Sequence, residues 1–247
     1  MKGKRAIVTG AASGLGRATA IMLAANGVQV NLMDRDETGI AETAETITST
    51  GGTCSTHLLD VADPDACQRA VDAAAAAMGG LDILCNIAGI VLFSHLAETE
   101  AAVWQRVFAV NTHGPFYMSK AAMPHLLQSQ GAIVNVASSS ALMGHAYMAA
   151  YTASKAAVVS MTQSLAMEFI KEQVRINAVA PGGIDTPLAR NVHLPAGADL
   201  ELVQRYKPVR GHATAEEVAE MIVFLASDRA AAVHGAVMVV DGGLTVG

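Results

Sequence analysis

Short apolar runs alternate with longer segments of helical period along the whole chain. The runs at 5–9 (RAIVT), 28–33 (VQVNLM), 56–60 (THLLD), 81–87 (LDILCNI), 131–137 (GAIVNVA), 174–180 (VRINAVA) and 236–240 (AVMVV) predict seven strands. Most lack an apolar/polar alternation, as expected of strands buried on both faces. Helices are predicted near 14–26, 36–50, 64–78, 98–111, 114–129, 149–171 and 214–227. Two carry start signals: Asp63-Pro64 opens one, and Thr214 with Glu217 has the spacing of a capping box. This alternation predicts an α/β fold: one doubly wound parallel sheet of about seven strands with helices on both faces. No repeat, low-complexity tract or linker divides the chain, so residues 1–247 are expected to form a single domain. The Gly- and Pro-containing stretch around 183–212 has neither period and reads as a lid over a site.

Composition narrows the function classes. Hydrophobic residues make up 52% of the 247 and aromatic ones only 4%, so small aliphatic side chains must fill the core. No apolar stretch is long enough to span a membrane, and the apolar run before Gly10 is too short for a signal peptide. Cys54, Cys67 and Cys85 show no C-x-x-C spacing, which fits a reducing cytoplasm better than a disulfide framework. A net charge of −6 without a basic run argues against a nucleic-acid partner. The eight histidines form no metal motif, so no metal site is expected.

The first candidate chemistry follows the first strand. In "TGAASGLGR", Gly10, Gly14 and Gly16 stand between a strand and a helix, with Ser13 and Leu15 among them. Glycines allow a tight turn and close backbone approach, and a helix N-terminus offers free N–H groups to a pyrophosphate. The spacing fits neither a P-loop nor a hydrolase nucleophile elbow. Asp34 ends the second strand eighteen residues past Gly16. A carboxylate there accepts hydrogen bonds from ribose hydroxyls and repels a 2′-phosphate, which favours NAD over NADP. Arg35 is the competing charge. Asp60-Val61, after the third strand, is placed to border an adenine.

The second candidate lies in "AAYTASKAAV". Tyr151 and Lys155 are four apart in an Ala-rich segment and so share a helix face. A free phenol ionises at about 10, and the Lys155 ammonium together with the positive charge of an oxidised nicotinamide ring is expected to lower that value.

Taken together the motifs resemble those of the classical short-chain dehydrogenase/reductase family over essentially the whole chain. The resemblance rests on "TGAASGLG", "NIAG" at 86–89, Asn111 in "FAVNTHGPFY", Ser138 thirteen residues before Tyr151, Lys155, and "PGGIDTP" at 181–187. It implies a Rossmann-type fold, a homotetramer, and Asn111, Ser138, Tyr151 and Lys155 as the catalytic group. Tyr151 would be the acid/base, with Ser138 on the substrate oxygen and Asn111 anchoring a proton relay from Lys155. It further implies that Gly10, Ser13, Gly14, Leu15, Gly16, Asp34, Asp60, Val61, Asn86, Ala88, Gly89, Tyr151, Lys155, Pro181, Gly182, Ile184 and Thr186 bind the dinucleotide. One position departs from the family pattern: Ile87 replaces the second Asn of N-N-A-G. A local polar contact is expected to be lost there without loss of chemistry. Ser139 and Ser140 compete with Ser138, and Asn111 could instead cap a helix before Gly114-Pro115.

Apolar residues such as Leu142, Met143, Met148 and Leu188 suggest a hydrophobic secondary alcohol or its ketone: alicyclic, aryl, steroid-like or acyl-chain. His145 and Tyr147 could add a polar contact. Arg190, Arg205 and Lys207 lie in the lid. The expected function is an NAD-dependent oxidoreductase acting on such an alcohol. The alternatives are a 3-oxoacyl-thioester reductase of the same family and a non-catalytic dinucleotide sensor.

Overall fold

The computed structural model describes residues 1–208 and 210–246. Val209, inside the expected lid, and Gly247, at the end of the expected domain, lie outside the described residues. Seven parallel strands are ordered β3-β2-β1-β4-β5-β6-β7. They are β1 (Arg5–Thr9), β2 (Gln29–Asp34), β3 (Cys54–Leu58), β4 (Ile83–Asn86), β5 (Ala132–Val136), β6 (Arg175–Pro181) and β7 (Val237–Val240). The helices are α1 (Gly14–Ala25), α2 (Glu37–Ser49), α3 (Pro64–Met78), α4 (Ala101–Phe108), α5 (Gly114–Ser129), α6 (Ala149–Glu168), α7 (Pro187–Arg190), α8 (Leu200–Gln204) and α9 (Ala215–Ala226).

Period two splits each strand between two cores. Ala6 and Val8 enter one cluster with α1, α2 and α9, while Ile7 enters the other with α3 and α5. Both faces of the sheet are therefore covered, as the unalternating apolar runs require. The start signals act as expected: Asp63 accepts from Ala66 N–H, and Thr214 and Glu217 cap each other reciprocally. Between β1 and β4 the strand order reverses, so the loops after those two strands diverge and leave a crevice at their carboxyl ends.

Beyond shifts of one to three residues at several element ends, three features differ from expectation. β3 begins two residues early because it is the sheet edge: Leu58 is 53% exposed, so the apolar pair Leu58-Leu59 does not mark its centre. The helix expected over 98–111 is shortened to α4, which runs through a π turn, Ala109–His113, directly into α5. Pro115 has no N–H to return to the Asn111 carbonyl four residues back, so an ordinary α turn cannot close there. The stretch expected to form an irregular lid carries two short helices, α7 and α8.

A polar seam crosses the second core. Asn86 Nδ2 donates to Ser119 Oγ at 3.1 Å and to Asn135 Oδ1 at 2.8 Å. Asn135 Nδ2 donates to Thr162 Oγ1 at 3.0 Å. Asn86 and Asn135 are register partners on β4 and β5, so these bonds join α5, two strands and α6.

Candidate active site

The glycine turn closes tightly against the loop after β4. Gly10 has φ +71°, and a Cβ there would stand 2.9 Å from the Ala88 backbone. A Cβ on Gly16 would overlap the Gly10 carbonyl. Bare backbone is therefore required at both positions, and α1 starts from it with exposed Ser13 as N-cap. Thr9, the last residue of β1, fastens the neighbouring loop. Its Oγ1 accepts from Ile87 N–H at 3.0 Å and Ala88 N–H at 3.2 Å. Ile87 thus keeps its backbone tie, and its side chain packs on the first core cluster. The polar contact expected to be missing at Ile87 is replaced by apolar burial.

Asp34 stands at the end of β2, half-buried, with Oδ2 accepting from Ala12 N–H in the glycine turn at 3.1 Å. Arg17 is occupied, with its guanidinium bonded to the Ala12 carbonyl and to Glu42. Asp60 pairs with Arg106 at 2.8 Å. Burial raises its pKa, but the Ala62 N–H, Arg106 and the Arg35 charge outweigh this and hold it below the usual carboxylate value. Val61 is buried under Gly114, where a Cβ would meet it at 2.7 Å. Leu15 is buried as well, and the Asn86 amide belongs to the polar seam. On the other side of the crevice β6 ends at Pro181, Gly182 N–H bonds the Val240 carbonyl, and Ile184 pairs with Ala213. Thr186 caps α7 and lies against the glycine turn, 3.1 Å from where a Gly14 Cβ would be.

Ser138 follows β5 and Tyr151 and Lys155 lie in the first turns of α6, all at the carboxyl edge of the sheet. Ser140 donates to Ser138 Oγ through both its backbone N–H (3.2 Å) and its hydroxyl (2.8 Å). Ser139 and Ser140 are buried, which leaves Ser138 as the serine beside the phenol. Lys155 is only 4% exposed, and its Nζ donates to the Val136 carbonyl at 2.8 Å. That nitrogen lies 5.9 Å from the Tyr151 ring centre. Gly89 faces the pair, since a Cβ there would meet Asn111 Oδ1 at 3.3 Å and Lys155 Nζ at 3.4 Å.

The protein's own contribution runs opposite to the expected lowering, which also counted the charge of an oxidised nicotinamide. Burial pushes the Tyr151 phenol above its ordinary value, and a hydrogen bond with Ser138 offsets this only in part. Burial likewise pushes the Lys155 ammonium down to about 8. In a poorly solvated cleft both charged forms are penalised, and for the phenol desolvation exceeds what the Ser138 hydrogen bond returns.

Asn111, in the π turn, is held from both sides. Its Oδ1 accepts from Ile90 N–H at 2.8 Å, and its Nδ2 donates to the Ile90 carbonyl at 2.9 Å and to Ser154 Oγ at 3.0 Å. Ser154 donates in turn to the Tyr151 carbonyl at 2.7 Å. Sequence reasoning missed Ser154 and Thr9. The only signals were their places beside recognised motifs, one residue before Lys155 and one before Gly10.

Comparison with known proteins decides the family. A family model described as Enoyl-(Acyl carrier protein) reductase matches residues 10–245. The chain belongs to the short-chain dehydrogenase/reductase family. It is 41% identical to the cis-4-hydroxycyclohexanecarboxylate dehydrogenase of Sinomonas cyclohexanicum, over 97% of this chain and 96% of that one. It is 35% identical to the 3-oxoacyl-[acyl-carrier-protein] reductase FabG of Thermotoga maritima, over 100% and 99%. A dehydrogenase/reductase structure from Sinorhizobium meliloti 1021 superposes with a TM-score of 0.90 at 32% identity, covering 99% of this chain and 96% of that one. This short-chain dehydrogenase/reductase is accordingly an oxidoreductase using a nicotinamide dinucleotide. The bare glycine cradle, the N-terminus of α1 and the Asp34 carboxylate fit such a cofactor. Among the described residues no cluster could hold a metal, and no helix is long and apolar enough to cross a membrane.

Proposed function

We propose that the protein is an NAD-linked dehydrogenase that interconverts a hydrophobic, alicyclic secondary alcohol and its ketone. The observation that carries the cofactor choice is the Asp34 carboxylate, oriented by Ala12 N–H beside the glycine turn. There it accepts ribose hydroxyls and opposes a 2′-phosphate. The alicyclic class is supported by the 41% identical relative, whose name specifies a hydroxycyclohexanecarboxylate. An acyl-thioester substrate with NADPH is the second reading, favoured by the FabG relative that matches the full chain.

A bound nicotinamide supplies or takes the hydride at the carbinol carbon. Ser138 Oγ holds the substrate oxygen, and Tyr151 gives or receives the proton on that oxygen. Burial disfavours the phenolate, which supports Tyr151 as the proton donor toward a ketone. Lys155 presents its ammonium to the same space and fixes the edge of β5 through the Val136 carbonyl. Asn111, clamped by Ile90 and Ser154, holds the π turn beside Lys155, where it would anchor the proton relay.

Exposed apolar side chains on α5, α6 and β7, including Phe116, Met167 and Val239, support a homotetramer, testable by sedimentation. Three unpaired cysteines support residence in a cytoplasm. Titrating the protein with NADH and NADPH, then assaying a panel of cyclic alcohols, tests the main reading. NADH is expected to bind tighter, and Tyr151→Phe to remove nearly all turnover while still binding NADH. Tighter NADPH binding with turnover of acyl thioesters alone would replace this reading with the second one. Equal turnover by wild type and Tyr151→Phe would remove the assigned chemistry.

A further inference from the structure

Tyr147 has φ +66°, a left-handed backbone that disfavours residues bearing a Cβ. Among the described residues only Gln130 shares this region without being glycine, and Gln130 ends α5, where such a conformation is the usual helix stop. Tyr147 ends no helix. It directly precedes Met148, the N-cap of α6, four residues before Tyr151. A strained residue persists where its surroundings hold it, and such strain gathers at functional sites.

The bonds made at this position all join parts of the substrate side. The Tyr147 carbonyl accepts from Ser94 N–H at 2.8 Å, in the loop after β4. Its phenol oxygen accepts from Asp199 N–H at 2.9 Å, at the start of the lid helix α8. Its ring meets His95 edge-on at 5.1 Å, and His95 Nε2 lies 2.9 Å from the Ala196 carbonyl of the lid. Two residues earlier, His145 stacks flat on Tyr206, just past the end of α8, with ring centres 4.0 Å apart. The lid helix is therefore held at its beginning by Tyr147 and beyond its end by His145, both on the loop that leads into the catalytic helix.

We infer that Tyr147 is a positioning residue that latches the lid across the face of the substrate space in front of Tyr151. Its strained backbone aims the phenol at Asp199 N–H. This inference rests on the reading of Tyr151 as the acid/base for an alcohol or ketone. It predicts that substrate binding, rather than hydride transfer or cofactor binding, depends on the latch.

The test compares wild type with Tyr147→Phe, which keeps the ring and loses the acceptor oxygen. Losing one neutral hydrogen bond should raise KM for the alcohol roughly three- to ten-fold. The values of kcat and of Kd for NADH should stay unchanged. Hydrogen exchange without substrate should quicken over residues 194–206 and stay unaltered over 149–168. Tyr147→Gly should unfold at higher urea than Tyr147→Ala, the reverse of their usual order, because only glycine is relaxed at this φ. Unchanged KM, a fall in kcat alone, unaltered exchange in the lid, or an Ala variant more stable than the Gly variant would each overturn the latch. If wild type turns over no alcohol or ketone, the proposed function fails, and lid exchange in Tyr147→Phe still decides the latch.

Discussion

Lys155→Met isolates the cost of burying a cation at the site. Lys155 is 4% exposed, and its pKa falls from 10.5 to about 8 through burial. That difference corresponds to about 3 kcal/mol of penalty on the charged form. The sign is set by proton binding. Between the two values the unfolded chain keeps the lysine proton while the native protein has released it, so the free energy of unfolding climbs with pH. Integrated from about pH 7 to about pH 10, the climb is ~2.5 kcal/mol. Tyr151 acts in the opposite direction, because a raised phenol pKa gives stability that is lost as pH rises from the ordinary phenol value through the native one. Its contribution therefore stays nearly constant below about pH 10. Urea unfolding of wild type and Lys155→Met across this range should give profiles that converge, wild type gaining on the variant by ~2.5 kcal/mol. Parallel profiles would refute the claim that burial holds the ammonium at a cost, and with it the account of a poorly solvated cleft.

Two further substitutions probe the frame of the site. Gly16→Ala places a Cβ onto the Gly10 carbonyl. It should cost about 1–3 kcal/mol of stability and abolish NADH binding, as read by urea unfolding and fluorescence titration. Thr9→Val leaves the Ile87 and Ala88 N–H groups without their acceptor. It should destabilise by about 2 kcal/mol in denaturant titration while the CD spectrum remains native.

Much of this architecture was legible because the chain encodes it locally. Strands buried on both faces write themselves as runs such as IVNV, and Asp63-Pro64 and Thr214 with Glu217 mark helix starts without help from distant residues. The family motifs likewise pointed to positions that the fold brings to one end of the sheet. What escaped depends on tertiary surroundings. The edge position of β3 removes the burial that usually centres a strand. The π turn comes from a donor missing at Pro115, a consequence visible only once α4 and α5 are known to be continuous. The raised phenol of Tyr151 reflects how little water reaches it, which no i, i+4 spacing reports. Tyr147 resembled a polar pocket residue, and neither its backbone nor its partner Asp199 is deducible from local pattern.

The polar seam through Asn86, Ser119, Asn135 and Thr162 has a consequence for how the site is aligned. An Ala-rich helix lying on small aliphatic strands has a smooth contact surface, and sliding it by a fraction of a turn loses little apolar area. The bond from Asn135 on β5 to Thr162 removes that freedom, because it breaks when α6 moves along its axis and Asn135 is itself held by Asn86 on β4. The height of Tyr151 above the sheet is thus fixed in part by Thr162, some three turns away in the same helix, through a layer of amides and hydroxyls that never meets the reacting atoms.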